Sequence, residues 1–386
     1  RSPRVPELKR QRFSDTDRPP LSIQTLYVDR QIADSPQVRL IAKRLGLAVD
    51  IVPDAQIVYD AVSAAADPVR QGKKVLFLTR NRGPFIKACP GTRAYTCCGY
   101  EILHIGSFCQ MDCAYCILQS YFHPPVLQYF VNHNDLFEEL NAIFAEKKIH
   151  RIGTGEFTDS LIWELWTDLS THLIPAFAAQ HHAVLELKSK TTAIQNLEQL
   201  RHNQKTITSW SVNTPKIIAE EERGTASLTA RLKAAAKCES WGYPLAFHFD
   251  PIVLYEGCEK DYERTLKRIF SYVSPDKIVW ISLGSFRFMP ALKPLVEKRF
   301  PKSKIVYGEF ITGLDGKMRY FKPIRMKIYQ KIVAWIRDQA PQTFIYFCME
   351  DEEVWQKCLG YTAYERGGLG YLLDEQAVKH CGVIEG

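Results

Sequence analysis

Three cysteines crowd into one short stretch, IGSFCQMDCAYCIL (Ile105 to Leu118), as Cys109, Cys113 and Cys116 in a C-x3-C-x2-C array. Thiolates this close together form a ligand set, and the count narrows what they hold. A structural zinc site takes four ligands, usually from two C-x2-C pairs. Here there are three, and His104 and His123 are the histidines near enough in sequence to complete such a site. Iron–sulfur clusters are held by thiolates, normally four. Three thiolates on a four-iron cluster leave one iron open to a ligand from outside the chain. The count favours the cluster and leaves zinc as the alternative.

The rest of the composition agrees with metal ligation. Eleven cysteines is an odd number, six of them fall between Cys89 and Cys116, and 386 residues can bury a core without disulfide staples. That pattern points to a reducing compartment. Cys238, Cys258, Cys348, Cys358 and Cys381 read as small buried apolar residues. No apolar run approaches the roughly 18–20 residues of a membrane span, and no leader-like segment opens the sequence. The expectation is a cytoplasmic protein, monomeric, with no membrane contact.

Net charge is a modest +7, but it is unevenly placed. Residues 1–20 carry six basic side chains against three acidic, and Asp315 to Lys331 carries six against one, interleaved with Tyr320, Phe321 and Tyr329. Basic and aromatic side chains together suit a nucleic-acid backbone and its bases.

Elements must carry the cysteines to a working position. Residues 1–20 read as a flexible basic extension and 21–98 as a small α/β region, with strands at 24–29 and 73–79. A helix from Ser35 to Gly46 lies between them, with Ser35 as N-cap and Pro36 at N1. Six strands then alternate with helices, at 100–106, 148–155, 183–190, 206–213, 245–253 and 277–285. Short apolar strands separated by helices are βαβ units, and six are too few for a closed eight-stranded barrel. The expected fold is therefore α/β, a partial (β/α)6 barrel over 99–308. A C-terminal region at 309–386 follows, with a hairpin turning at Asp315-Gly316 and a basic helix. Barrel sites lie at the C-terminal ends of strands, where the three cysteines fall. Cys89, Cys97 and Cys98 precede the first strand and are expected at the opposite end, in structural roles.

A C-x3-C-x2-C array on that loop resembles the radical S-adenosylmethionine superfamily, a resemblance that implies a [4Fe–4S] cluster and S-adenosyl-L-methionine as cofactors. GTGE (Gly153 to Glu156), ending the second strand, is similar to the glycine–glycine–acid motif that receives the cofactor's methionyl group in that superfamily. The resemblance implies cofactor contacts from Glu156, Thr158, Lys190, Ser211 and Asn213, with Lys188 as the alternative to Lys190.

KACPGT, CCGYEIL, CQMDCAYCILQSYF, GTGEFTDS, WSVNTPKIIAEEERGT and FHFDPI, in this order, resemble the spore photoproduct lyase family over roughly residues 24–350. The resemblance implies a radical lyase that reverts a thymine dimer in ultraviolet-damaged DNA, with an electron donor such as a flavodoxin or ferredoxin as partner. It also implies a hairpin holding the DNA, here with Lys317, Arg319, Tyr320 and Lys322. In the family a cysteine at the end of the second strand returns hydrogen to the product; this chain has Phe157 there, or Glu156 with one gap. Tyr115 is then the expected hydrogen relay. Two rivals stand beside this reading. One is the same radical scaffold acting on another nucleic-acid lesion, a peptide or a small molecule. The other is a metal-containing nucleic-acid-binding protein without turnover.

Overall fold

The computed structural model describes residues 22–91 and 94–385, so the expected extension at 1–20 lies outside the described residues. Near the N-terminus, Thr25–Asp29, Val49–Val52, Val75–Thr79 and Leu127–Phe130 form a parallel sheet, with Gly106–Ser107 antiparallel at one edge. The first helix, Pro36–Leu45, begins where the sequence says. Ser35 Oγ accepts from the Gln37 N–H, and Gly46 ends the helix at a φ of 65°, which glycine adopts without a Cβ penalty.

The larger sheet carries the expected strands side by side in chain order: β1 (Glu101–Leu103), β2 (His150–Gly153), β3 (Ala183–Ser189), β4 (Thr206–Ser211), β5 (Leu245–Ile252) and β6 (Ile278–Ser285). A seventh strand, β7 (Ile345–Phe347), extends the parallel array, and Ile86–Ala88 runs antiparallel on the free edge of β1. The result is an open, curled half-barrel. Strands β4 and β6 are buried along their whole length, as a parallel sheet covered on both faces requires.

Two details depart from the sequence reading. The stretch 100–106 was expected as one strand, but it ends at Leu103, and Gly106–Ser107 crosses to the smaller sheet. Only glycine fits at 106, since a Cβ there would sit 2.6 Å from the Gln128 carbonyl oxygen and 2.8 Å from the Trp163 ring. The two sheets therefore do not divide at residue 98: strands 106–107 and 127–130 belong to the first sheet, and 86–88 to the second. A single apolar core joins them, running from Leu26 and Leu78 to Ile152, Leu185 and Phe247.

Beyond β6, Phe310–Thr312 and Met318–Tyr320 form the expected hairpin, backed by Arg287–Phe288, and the helix Lys322–Gln339 follows. Among the described residues no helix is long and apolar enough to cross a membrane.

Candidate active site

The cysteine loop is clamped from three distant parts of the chain. Asp112–Cys113 pairs antiparallel with Glu222–Arg223, and the Ala114 N–H donates to the Glu221 carbonyl at 2.8 Å. From the N-terminal sheet, the buried Lys73 ammonium donates to the carbonyls of Cys109 (2.9 Å) and Met111 (2.5 Å), and it lies 4.3 Å from the centre of the Phe108 ring. The Arg299 guanidinium holds both Asp112 oxygens (2.9 and 3.2 Å), Gln119 Oε1 (2.7 Å) and Asp67. Sequence reasoning missed both cations. A lysine opening an apolar strand looks the same whether it is solvated or buried, and Arg299 lies far away in sequence.

Cys109 and Cys113 are buried and Cys116 partly so. Burial pushes the Cys109 thiol up to about 12 despite the nearby Lys73, and Cys113 well above its ordinary value despite Lys190. Metal-free, both stay protonated, and ligation releases their protons. The two histidines are engaged elsewhere. His104 sits between Lys87 Nζ (3.0 Å) and Ser107 Oγ (2.9 Å), with burial and the Lys87 charge lowering it to about 4. His123 Nε2 meets the Ser120 carbonyl at 3.0 Å. Among the described residues, no three Cys, His, Asp or Glu groups are placed to hold a single metal ion. A cluster presents a different iron to each thiolate, so three thiols spread along one buried loop fit it, whereas the expected zinc alternative loses its fourth ligand.

The rim beside this loop is closely wired. Asp159, buried, accepts from Ser189 Oγ (2.8 Å), the Lys190 N–H (2.8 Å) and the Leu161 N–H (3.0 Å). Ser160 is bonded to both backbone groups of Lys188. These contacts tie the end of β2 to the end of β3 and aim Lys190 at the cysteines. Lys190 Nζ lies 5.9 Å from the centre of the Tyr115 ring and is the foremost cation acting on Cys113. Lys188 turns into the barrel. Its burial is outweighed by Glu156, Glu186 and Asp250, which hold its ammonium above the ordinary lysine value. Lys190 is thus the lysine on the cluster side. Tyr115 donates to Glu222 at 2.5 Å, and the fully buried Arg231 donates to the same carboxylate at 2.5 Å and to the Ser211 carbonyl at 2.8 Å.

Several expected contacts are corrected. Asn213 is buried and engaged: its Nδ2 donates to the Pro251 carbonyl (2.8 Å), and its Oδ1 accepts from Tyr262 (2.9 Å) and the Thr214 N–H (2.9 Å). That leaves it a brace between β4 and β5 rather than a free cofactor ligand. Thr158 is buried, with its hydroxyl 3.5 Å from the Asp159 carbonyl. Phe157 points away from the barrel, its ring 4.9 Å from His104 and 6.0 Å from Tyr121. Glu156 is the residue that faces inward, where its charge acts on Lys188, Cys89, Cys348 and Tyr100.

The half-barrel interior is polar. His248 bridges Glu186 Oε1 and Ser282 Oγ, each at 2.6 Å, and Arg287 grips Asp250 with two bonds of 3.0 and 3.1 Å. Cys98 was expected on the far side of the barrel. Instead the loop before β1 folds across the open flank, so Cys98 stands near Cys348 and Tyr346, and Cys89 near Glu156 and Lys188. An open barrel needs such a plug, and the chain ahead of its first strand supplies it.

The hairpin side chains also differ from expectation. Arg319 is buried, forms a forked pair with Asp315 (3.2 and 2.7 Å) and lies 4.1 Å from the Tyr95 ring centre; Tyr320 is buried as well. Lys317 approaches Asp315 at 3.6 Å, and Lys322 contacts Asp351 (2.7 Å) and Glu353 (2.5 Å). The hairpin's exposed large side chains are apolar, Leu314 at 84 % with Ile311 and Phe321, beside the exposed Glu309 and Thr312.

A parallel half-barrel with three thiols on the loop leaving its first strand defines a radical S-adenosylmethionine fold. Solved structures agree. Spore photoproduct lyase complexed with dinucleoside spore photoproduct superposes with a TM-score of 0.73 at 21% identity, covering 85% of this chain and 99% of that one. A variant with bound AdoMet and dinucleoside spore photoproduct gives 0.74 at 21%, with the same coverage. The family model described as spore photoproduct lyase matches residues 96–347, and this chain belongs to that family, as an enzyme of the radical S-adenosylmethionine lyase type. Spore photoproduct lyase of Clostridium acetobutylicum is 26% identical over 255 residues, covering 65% of this chain and 72% of that protein. The Bacillus subtilis enzyme is 27% identical over 246 residues, covering 61% and 70%.

Proposed function

We propose that this enzyme repairs a spore-type thymine dimer in ultraviolet-damaged DNA by radical chemistry. The observation that carries the reading is the clamped loop, which holds three thiols, two buried and one partly buried, at the rim beside Lys190 and above a polar barrel interior. Cys109, Cys113 and Cys116 would hold a [4Fe–4S] cluster whose open iron takes S-adenosyl-L-methionine. Bound there, that pair supplies the carbon radical that takes a hydrogen atom from the substrate. Lys190 is placed to neutralise the methionyl carboxylate, and Ser211 stands at the same rim. Glu156 faces the interior from the end of β2, while Tyr115, Glu222 and Arg231 lock the loop and keep water from it.

The lesion would enter flipped out of the duplex, at a cost of a few kcal/mol that is smallest for a damaged step. Lys188 offers a positive charge and a hydrogen-bond donor inside. The exposed hairpin tip at Leu314 would support the opened duplex, in place of the buried Arg319 and Tyr320. A second reading, the same chemistry on a different nucleic-acid lesion, is favoured by one observation: the end of β2 presents a carboxylate to the interior where a thiol is expected.

The test is anaerobic. Reconstituted enzyme, S-adenosyl-L-methionine and a reductant such as reduced flavodoxin are incubated with and without the dimer, and 5′-deoxyadenosine and thymine products are followed by mass spectrometry. Dimer loss with thymine gain supports the proposal. Deoxyadenosine formed equally with and without the dimer, and no thymine, moves the reaction to the second reading. Iron and activity retained in all three of Cys109→Ala, Cys113→Ala and Cys116→Ala overturn the cluster assignment.

A further inference from the structure

We infer that Cys348, on the loop leaving β7, is the catalytic residue that returns a hydrogen atom to the product, an inference resting on the radical reading above. Cys348 is fixed at the C-terminal rim of the barrel, because its N–H donates to the Leu283 carbonyl on β6 at 2.9 Å. Its sulfur accepts from Arg287 Nη2 at 3.4 Å, and Arg287 is immobilised by Asp250 and by Met349 Sδ at 3.3 Å. Glu156 and Lys188 also lie within electrostatic range of the thiol.

A hydrogen-atom donor must keep its hydrogen and must have a weak bond to it. Burial, Asp250 and Glu156 keep Cys348 protonated, pushing it up to about 12 against the pull of Arg287. A thiol's bond to hydrogen is weak, comparable with that of a tyrosine hydroxyl, so position decides between the candidates. Cys89 is the rival thiol, since Glu156 and Lys188 act on it too. The other competing donors are worse placed. The Tyr115 hydroxyl is directed at the Glu222 carboxylate. The Tyr100 hydroxyl is packed against the backbone of Gly153, where even a Cβ would lie 1.8 Å from it. Cys97 is exposed on the flank.

In the step itself, the Cys348 S–H bond breaks homolytically, the hydrogen atom forms a C–H bond on the product radical, and a thiyl radical stays on sulfur. That thiyl is restored by a hydrogen atom from the methyl carbon of the cofactor's 5′-deoxyadenosine fragment, so no outside reductant enters the cycle.

The experiment uses reconstituted full-length enzyme with the dinucleoside dimer in deuterated water, comparing the native chain with Cys348→Ala, Cys348→Ser, Cys89→Ala and the control Cys358→Ala. The native enzyme, Cys89→Ala and the control are expected to return thymine carrying solvent deuterium, because thiols exchange. Both Cys348 variants, at unchanged iron content, are expected to consume dimer but to yield at least tenfold less thymine, the remainder appearing as adducts. Independently of turnover, the dinucleoside should slow iodoacetamide labelling of Cys348 in cluster-free protein at alkaline pH, where thiolate forms, read by peptide mass spectrometry. Equal thymine yield and deuterium content in the Cys348 variants, or labelling unaffected by the dinucleoside, overturns the assignment alone. A native enzyme that leaves the dimer untouched overturns the functional reading, and this inference with it.

Discussion

Replacing Lys73 by Met tests whether the N-terminal sheet holds the cluster loop or merely sits beside it. Methionine keeps the length and apolar stem of the side chain, so the change removes little packing and chiefly deletes the ammonium. Two buried carbonyls, of Cys109 and Met111, then lose their donor at 2.9 and 2.5 Å, and Asp112 loses a cation at 3.7 Å. Hydrogen bonds from charged donors contribute about 1.5–3 kcal/mol each. The expected loss is therefore about 3–6 kcal/mol, with the contact to the Phe108 ring adding about 0.5–1 kcal/mol. Against a total stability of about 5–15 kcal/mol, that is a large fraction. Urea unfolding of cluster-free protein should show the midpoint falling with an unchanged slope. Iron per chain after reconstitution should fall in parallel, since the backbone carrying Cys109 is no longer fixed. A variant within about 0.5 kcal/mol of the native protein, with full iron content, would refute the claim that this lysine organises the loop.

Other outcomes follow from the same geometry. Arg319→Ala leaves Asp315 without its forked partner and should destabilise the fold by about 3–5 kcal/mol. It should leave the salt dependence of DNA binding as it was, and a slope reduced by about one unit would return Arg319 to the DNA contact. His104, lowered to about 4 by burial and by Lys87, binds fewer protons folded than unfolded between about pH 4 and about pH 6.5. Its contribution is thus fully present above that window and lost as pH falls through it. His104→Phe should flatten the pH dependence of the urea midpoint between pH 7 and pH 4.5, and an unchanged profile would refute the assignment. Phe157→Cys should not alter thymine yield or deuterium content, because position 157 faces His104 and Tyr121; a changed product distribution would show that this loop turns inward during turnover.

The strand–helix alternation was legible because it rests on local chemistry. Apolar runs of strand length, the Ser35–Pro36 start and Gly46 stop, and the Asp315-Gly316 turn each act over a few residues. What escaped was contact between segments far apart in the chain. The stretch 100–106 reads as one strand, yet Gly106 is drawn to a second sheet by Gln128 and Trp163, which periodicity does not register. The cysteine array was visible from spacing, but its supports Lys73, Arg299 and Arg231 come from elements brought close only by the fold. Asn213 shows the converse: it stands at the expected strand end, but Tyr262 and Pro251 engage its amide, contacts that spacing does not register.

The hairpin shows why counting charges misleads about partners. Asp315 to Lys331 holds six cations and one anion, yet acids from elsewhere in the chain answer three of them, and Asp315 itself pairs with Lys317 and Arg319. Arg325 forms a buried forked pair with Glu350 at 2.9 Å on both sides, Lys322 meets Asp351 and Glu353, and Lys331 meets Glu259. Cations already paired at contact distance project little field at a phosphate a Debye length of about 8 Å away. The local excess of charge therefore builds the fold, fastening hairpin and helix to the loop after β7. In the same way, it is the Asp250–Arg287 pair that fixes Cys348 at the rim. The pairing along Asp315 to Lys331 leaves the exposed apolar tip, and cations outside the segment, as the surfaces on which the proposed DNA contact would rest.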